Sequence, residues 1–162
     1  MSSFSRRFVI ALPLAALAGC GFTPVYGPHG AGRAVFGKVA LDDPATEDSY
    51  LMVRALEERL GRSATPVYRL AVQTRIVPEG QAVTAAGAIT RFSLVGQADY
   101  VLVRADSGQE LTQGNVRNFT GYSATGSTVE TLAAETDARE RLMVILADQI
   151  VTRLYATPGL GA

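Results

Sequence analysis

The chain has one cysteine, Cys20, and the residues around it are typical of a site of lipid attachment. Arg6 and Arg7 provide the positive charge of an export signal, and residues 8–18 form an uncharged, mostly apolar run. Residues 17–20 read Leu-Ala-Gly-Cys, which is the form of a lipobox. We therefore expect Cys20 to become the lipidated first residue of the mature chain, with its thiol in a thioether to lipid. An ordinary secretory signal with a chance cysteine is the alternative.

The apolar run is too short to be a permanent membrane span. It has 11 residues, whereas a spanning helix needs about 20. Residues 1–19 are predicted to be a lipoprotein signal peptide, and acyl chains on Cys20 would hold the mature chain on a membrane surface. Arg6 and Arg7 also partly resemble a twin-arginine signal, so the export route is left open. Gly21 stands where an aspartate would favour inner-membrane retention, which favours sorting to the outer membrane.

Arginines on predicted strands are the second group that could do chemistry. Residues 67–77 and 89–104 alternate between two faces, of which one is predicted to be buried and the other exposed. The exposed face carries Arg69, Gln73, Arg75, Arg91 and Gln97, with Arg117 as a further candidate. A planar guanidinium binds phosphate or carboxylate through two hydrogen bonds, so Arg75 and Arg91 are candidate anion-binding residues. Ordinary surface charge is the alternative.

Catalytic and metal-binding patterns are sparse. The paired carboxylates are Asp42 with Asp43, Glu57 with Glu58, and Glu135 with Asp137. Adjacent helical residues point about 100° apart, so Glu57 and Glu58 do not converge on one proton. His29 is the one histidine and lies in a segment rich in glycine and proline. We predict no enzymatic activity, no metal and no cofactor; a small hydrolase that uses a carboxylate pair is a remote alternative.

These residues are positioned by a predicted element order of β-α-β-β-β-α. The predicted strands are 33–41, 67–77, 89–104 and 110–120, and the helices begin at Thr46 and Ser127 and end near 60 and 155. Residues 78–80 are predicted to turn the chain, and residues 82–88 to form a loop. Neither helix can bury its apolar stripe alone. The fold class is therefore α+β, with two helices packed on one face of a four-stranded mixed sheet.

The domain organisation follows from these elements. Residues 20–32 are predicted to be a lipidated flexible tether, because residues 21–32 hold two prolines and four glycines. Residues 33–157 form a single α/β sandwich domain, and residues 158–162 a disordered tail. Without residues 1–19 the chain carries 13 basic and 15 acidic residues. That balance argues against a nucleic-acid partner.

Several short motifs resemble one known family. The sequence Gly-Phe-Thr-Pro-Val-Tyr-Gly at 21–27, directly after Cys20, resembles the start of the mature chain in the LptE family of lipopolysaccharide-assembly lipoproteins. Tyr-Ser-Ala at 122–124 before a long helix, and Thr-Arg-Phe at 90–92 with its hairpin, are similar too. The resemblance covers nearly all of residues 20–155.

The resemblance implies two helices on a four-stranded sheet, in agreement with the predicted order. It also implies a non-enzymatic outer-membrane lipoprotein that plugs LptD, a lipopolysaccharide-translocating β-barrel, and assists its assembly. Such a protein binds lipopolysaccharide for delivery to the outer leaflet, facing the periplasm or lying inside the barrel lumen. Lys38 is the one lysine, so any contact with lipid A phosphate would pass to Arg75 and Arg91. The alternative is a periplasmic lipoprotein accessory to an inner-membrane transporter, binding lipid or a protein partner.

Overall fold

The computed structural model describes Gly27 and residues 30–85 and 87–160. Cys20, His29 and the predicted signal peptide lie outside the described residues, as does most of the predicted tether. The lipid anchor therefore stays a prediction.

The described part of the chain forms helices and strands in a simple order. In sequence these are α1 Ala31–Val35, β1 Val39–Leu41, α2 Glu47–Leu60, β2 Tyr68–Val83, β3 Ile89–Arg104, β4 Glu110–Ser123 and α3 Thr128–Tyr155. The strands lie side by side in the order β1-β2-β3-β4. β1 is parallel to β2, and the other two pairs are antiparallel. α3 packs on β3 and β4, while α2 packs on α3 and β2. The predicted four-stranded mixed sheet with two helices on one face is thus confirmed, with one short helix added before β1.

The core lies between the sheet and the two long helices. Leu142, Leu146, Ile150 and Leu154 of α3 are fully buried there. Gly96 of β3 lies directly beneath the helix, because a Cβ atom at Gly96 would come within 2.8 Å of Leu142 Cδ2. The missing side chain at Gly96 therefore determines how closely α3 can approach the sheet.

Both long helices begin with the caps that their sequences favour. The Thr46 hydroxyl accepts a hydrogen bond from Ser49 N–H at 3.2 Å. At α3, Ser127 N–H donates to the Glu130 carboxylate at 2.6 Å, and Glu130 N–H donates to the Ser127 hydroxyl at 3.4 Å. Each bond satisfies a backbone donor that the first helical turn leaves unpaired.

The first predicted strand is shorter than its apolar residues suggested. Residues 31–35 are helical and only residues 39–41 are extended, with Gly37 at φ 69° between them. Val35 is buried from the helical segment. A short apolar run does not distinguish a buried helical turn from a strand, which explains the difference.

The predicted turn at residues 78–80 is wrong, because β2 continues to Val83. β1 pairs with β2 only as far as Leu70, so β2 is an edge strand beyond that point. Tyr68 N–H points to the β1 side, where it donates to Lys38 C=O at 3.1 Å. Backbone groups alternate sides along a strand, so Pro78 has its missing N–H on the open edge, where no ladder bond is lost.

Part of the segment predicted to be a tail is placed in the structure. Leu160 is only 8% exposed and belongs to the core, while residues 161–162 lie outside the described part. Among the described helices, none combines the length and apolarity needed to cross a bilayer.

Candidate functional site

The candidate site is the face of the sheet that points away from the helices, which we call the open face. On it, strand register places residues of β2, β3 and β4 in rows. One row is Arg75, Gln97 and Arg117, the next is Val77, Val95 and Phe119, and a more distant one is Ala82, Arg91 and Ser123. The odd-numbered positions of β3 define this face, because the even-numbered Leu94, Ala98 and Leu102 are buried under the helices.

Arg75 and Arg117 lie on either side of Gln97. Neighbouring strands are about 4.8 Å apart, so the two arginine backbones are about 10 Å apart. Both side chains are exposed, and their lengths allow both guanidinium groups to reach one anion. From the sequence, Arg117 is only a further candidate for this face. Its adjacency to Arg75 depends on the register of two hairpins, which the sequence pattern does not fix.

Arg91 is not brought together with Arg75. It lies six residues before Gln97 on β3, which corresponds to about 20 Å along the strand. The two predicted anion-binding residues therefore cannot hold the same phosphate group. Arg91 instead lines an open depression of about 630 Å³ whose other walls include Phe119, Gly121 and Ser123.

An apolar row separates the two cationic positions. Phe119 is 68% exposed and Val77 is 42% exposed, and both lie beside Val95 in the row next to Arg75. A phenylalanine that is so exposed beside other apolar side chains is typical of a surface that contacts an apolar ligand or partner. The open face thus combines separated cations with an apolar strip.

The open-face arginines are not neutralised within the described residues. Arg75, Arg91 and Arg117 have no ion pair there. Asp99 is an acid of the same face, and it accepts a hydrogen bond from Asn115 Nδ2 at 2.6 Å. Glu79 is the other acid between the rows. Arginines without an ion-pair partner among the described residues therefore lie on both sides of the apolar row.

A second polar cluster joins α2 to α3. Arg139 Nη2 donates to Glu135 at 2.8 Å, and Arg139 Nη1 donates to Asp48 at 3.2 Å. The hydrogen bond to Glu135 raises the pKa of Arg139 above its ordinary value. Burial raises the pKa of Tyr122, whose ring stacks on Phe92 with centroids 5.4 Å apart. This cluster ties elements together and lies apart from the open face.

Among the described residues, the carboxylates singled out in the sequence belong to no group of three or more potential metal ligands. Glu57 contacts Arg62 at 2.9 Å, Glu135 contacts Arg139, and Asp137 contacts Arg141. Asp42 and Asp43 are exposed just after β1. Ion pairing within and between helices accounts for the helical acids.

The architecture and the open face define a class: small α+β domains in which two helices cover one side of a four-stranded mixed sheet and leave the other side bare. The sequence model of the LptE family, described as lipopolysaccharide-assembly, matches residues 36–154. The chain therefore belongs to the LptE family. This is a non-enzymatic family of cell-envelope lipoproteins.

Solved structures of lipoproteins share the fold. A putative lipoprotein from Caulobacter crescentus is 19% identical, with a TM-score of 0.66 over 78% of this chain and 93% of that one. Lipoprotein B from Nitrosomonas europaea is 16% identical, with a TM-score of 0.57 over 78% and 86%. The rare lipoprotein B from Shewanella oneidensis is 13% identical, with a TM-score of 0.55 over 74% and 93%. No curated protein matches the chain.

Proposed function

We propose that the chain is an outer-membrane lipoprotein, anchored through Cys20, that binds lipopolysaccharide on its open face while assembled with an LptD-type β-barrel. The observation that carries the proposal is the arrangement of the open face, where an exposed apolar row separates unpaired arginines. Membership of the LptE family supports the ligand class, the envelope location and the barrel partner.

The open face suits a phosphorylated glycolipid chemically. Arg75 and Arg117 can bind one phosphate group from two sides, since each guanidinium offers a planar fork of donors. Arg91 is about 20 Å away and would bind a separate anionic group. The apolar row with Phe119 and Val77 lies between these sites and can pack against hydrocarbon or against an apolar partner surface.

Lipopolysaccharide binding by the mature chain in detergent tests the ligand. A charged hydrogen bond contributes roughly 1.5–3 kcal/mol, so Arg75→Ala/Arg117→Ala should weaken binding at least about tenfold. Arg91→Ala should weaken it by a smaller factor. The matched control is Arg54→Ala on α2, which removes an exposed arginine that is paired with Glu140. Equal affinities of wild type and the double variant, at equal melting temperatures, would mean that these arginines are ordinary surface charge.

Affinity purification from detergent-solubilised outer membrane tests the partner. The proposal expects the tagged mature lipoprotein to recover an LptD-type barrel, and expects Cys20→Ala to abolish labelling by a fatty-acid probe. Recovery from the inner membrane with a transporter instead would favour the alternative of an accessory lipoprotein. A fatty-acid label that persists in Cys20→Ala would exclude Cys20 as the anchor.

A further inference from the structure

The two outer edges of the sheet differ in how their backbone hydrogen-bonding groups are covered. An edge strand leaves one row of N–H and C=O groups without a strand partner. On β4, side chains satisfy several members of that row. Arg153 donates to Asn115 C=O, Arg141 donates to Gly121 C=O, and Phe119 N–H donates to Asn118 Oδ1. The β4 edge is therefore partly closed to another strand.

The β2 edge is open beyond the end of β1. Tyr68 N–H donates toward β1, so the outward groups of β2 belong to its even-numbered residues. β1 pairing ends at Leu70. The next residues with this orientation are Val72, Thr74 and Ile76. Among the described residues, neither a strand nor a side chain covers their outward N–H and C=O groups.

Pro78 limits the open edge. It has the same outward orientation but lacks an N–H, so a strand paired to β2 would lose a donor at that position. The segment that can pair fully is therefore Val72 to Ile76. Five residues are enough for a short added strand, which would lie end to end with β1.

The helix side of this edge is largely apolar, although Asp42, Asp43 and Ser49 also line it. A cleft between α2 and the β2 edge is lined by Leu41, Met52, Val53, Leu56, Leu70 and Val72. Side chains of a strand alternate between faces, so every second residue of an added strand would point toward this cleft. Apolar residues at those positions would extend the core beneath α2.

Negative charge on this protein favours a basic residue at the end of the added strand nearest β1. Asp42 and Asp43 follow β1 directly, are exposed, and have no ion pair within the described residues. The nearby cations Arg54 and Arg62 are already paired with Glu140 and Glu57. A lysine or arginine on the incoming segment would complement the two aspartates.

We propose that the β2 edge from Val72 to Ile76 receives an extended segment of a protein partner as an added strand. The segment carries apolar side chains at every second position and a basic residue at the end beside Asp42 and Asp43. The identity of the partner rests on the proposed function, which makes it the LptD-type barrel protein. A closed barrel has no free strand edge, so the segment comes from a loop or a terminal extension outside the barrel wall.

Hydrogen exchange of the full mature chain, alone and in purified complex with the barrel protein, tests the edge directly. The Val72, Thr74 and Ile76 amides should exchange at least tenfold more slowly in the complex. The internal control is the Gln73 and Arg75 amides, which already donate within the sheet. A complex that leaves the three outward amides unprotected overturns the added strand and leaves the proposed function intact.

The variant Thr74→Pro removes one outward N–H, as Pro78 does naturally in the same strand, and Thr74→Ala is its matched control. Thr74→Pro should weaken the barrel complex at least tenfold with lipopolysaccharide binding unchanged, whereas Thr74→Ala should not. Slow exchange of the three outward amides in the chain alone would overturn the proposal of a different protein as partner. Protection that depends on protein concentration would assign the edge to a second copy of the chain. Protection that does not depend on concentration would assign it to residues 20–29 of the same chain. Failure of the wild type to bind any barrel would overturn the proposed function and the partner together.

Discussion

The helix layer and the open face use the same residue type in opposite ways. On the helix layer, five arginines are paired with acids, and Arg153 of α3 donates to the Asn115 carbonyl of β4. The pairs are Arg54 with Glu140, Arg59 with Asp148, Arg62 with Glu57, Arg139 with Asp48 and Glu135, and Arg141 with Asp137. On the open face, the described arginines Arg75, Arg91 and Arg117 have no acid within ion-pair distance. The charge of the helix layer is thus satisfied within the fold, whereas the charge of the open face is available.

Stability alone does not explain this difference. Exposed ion pairs contribute only about 0–1 kcal/mol each, so pairing on the helix layer adds little to folding. The effect of these ion pairs is that the five helix-layer arginines are not left unpaired. An anion that approaches the protein therefore meets its strongest partners on the sheet side. The difference supports the proposal that ligand contact belongs to the open face and structural support to the helices.

The largest expected effect on stability concerns the packing of α3 on the sheet, which covers one face and leaves the other open. Leu142 is fully buried between α3 and the sheet. We expect Leu142→Ala to lower the free energy of unfolding by about 2–5 kcal/mol, because it removes buried methyl groups and leaves a cavity. Chemical denaturation monitored by circular dichroism measures this. An unchanged midpoint would mean that α3 does not cover the sheet, and the distinction between faces would fail.

A pair of glycine substitutions sharpens the comparison on one sheet. Gly96→Ala places a Cβ atom 2.8 Å from Leu142 Cδ2 and should cost about 1–3 kcal/mol through overpacking. Gly121→Ala on the open face meets only the Phe92 carbonyl oxygen at 3.5 Å and should change stability by less than about 0.5 kcal/mol. Melting temperatures of the two variants provide the test. Equal losses would show that both faces are covered.

Much of this architecture follows from local pattern in the sequence. The period-two alternation of β3, the Ser127–Glu130 cap and the α3 stripe that includes Leu142 each depend on residues close in the chain. They predicted the sheet, the helix start and the buried side of the helix, and the structure agrees.

Features that depend on distant pairing could not be predicted in the same way. Pro78 indicates a turn unless it is known that β1 pairs with β2 only as far as Leu70 and leaves the rest of the β2 edge open. Arg75 and Arg91 look like one patch until register separates them and places Arg117 beside Arg75 instead. Register between hairpins is set by turn geometry and core packing together. The sequence alone could therefore predict only some of the residues that lie together in the candidate site.

A smaller effect on stability is expected when an ion pair between the two long helices is removed. Arg139 is partly buried and bridges Asp48 of α2 to Glu135 of α3. Arg139→Ala should lower the free energy of unfolding by about 1 kcal/mol, the upper end for partly exposed pairs. Arg117→Ala, which breaks no ion pair among the described residues, should leave it unchanged. Thermal unfolding of both variants tests this, and an Arg117 loss as large as that of Arg139 would contradict the division of roles.

The smallest expected effect depends on pH and lies at the start of α3. The hydrogen bond from Ser127 N–H lowers the pKa of Glu130 below its ordinary value of 4.5. A carboxyl group with a depressed folded-state pKa stabilises the fold above its unfolded pKa, and this contribution is lost as the pH falls through the folded value. Glu130→Gln keeps an oxygen that can accept from Ser127 but lacks the charge that favours a helix N-terminus.

The melting temperature of Glu130→Gln should therefore fall slightly below that of wild type at pH 7. The gap should narrow as the pH is lowered from about 4.5, the ordinary pKa of a glutamate, and close once Glu130 is protonated in both states. Thermal melts of both proteins across that range measure the gap. A constant gap from neutral to acidic pH would assign the effect to side-chain packing at the cap. A gap that narrows would show that even an exposed charge of the helix layer is engaged by the fold, which is the property that the open-face arginines lack.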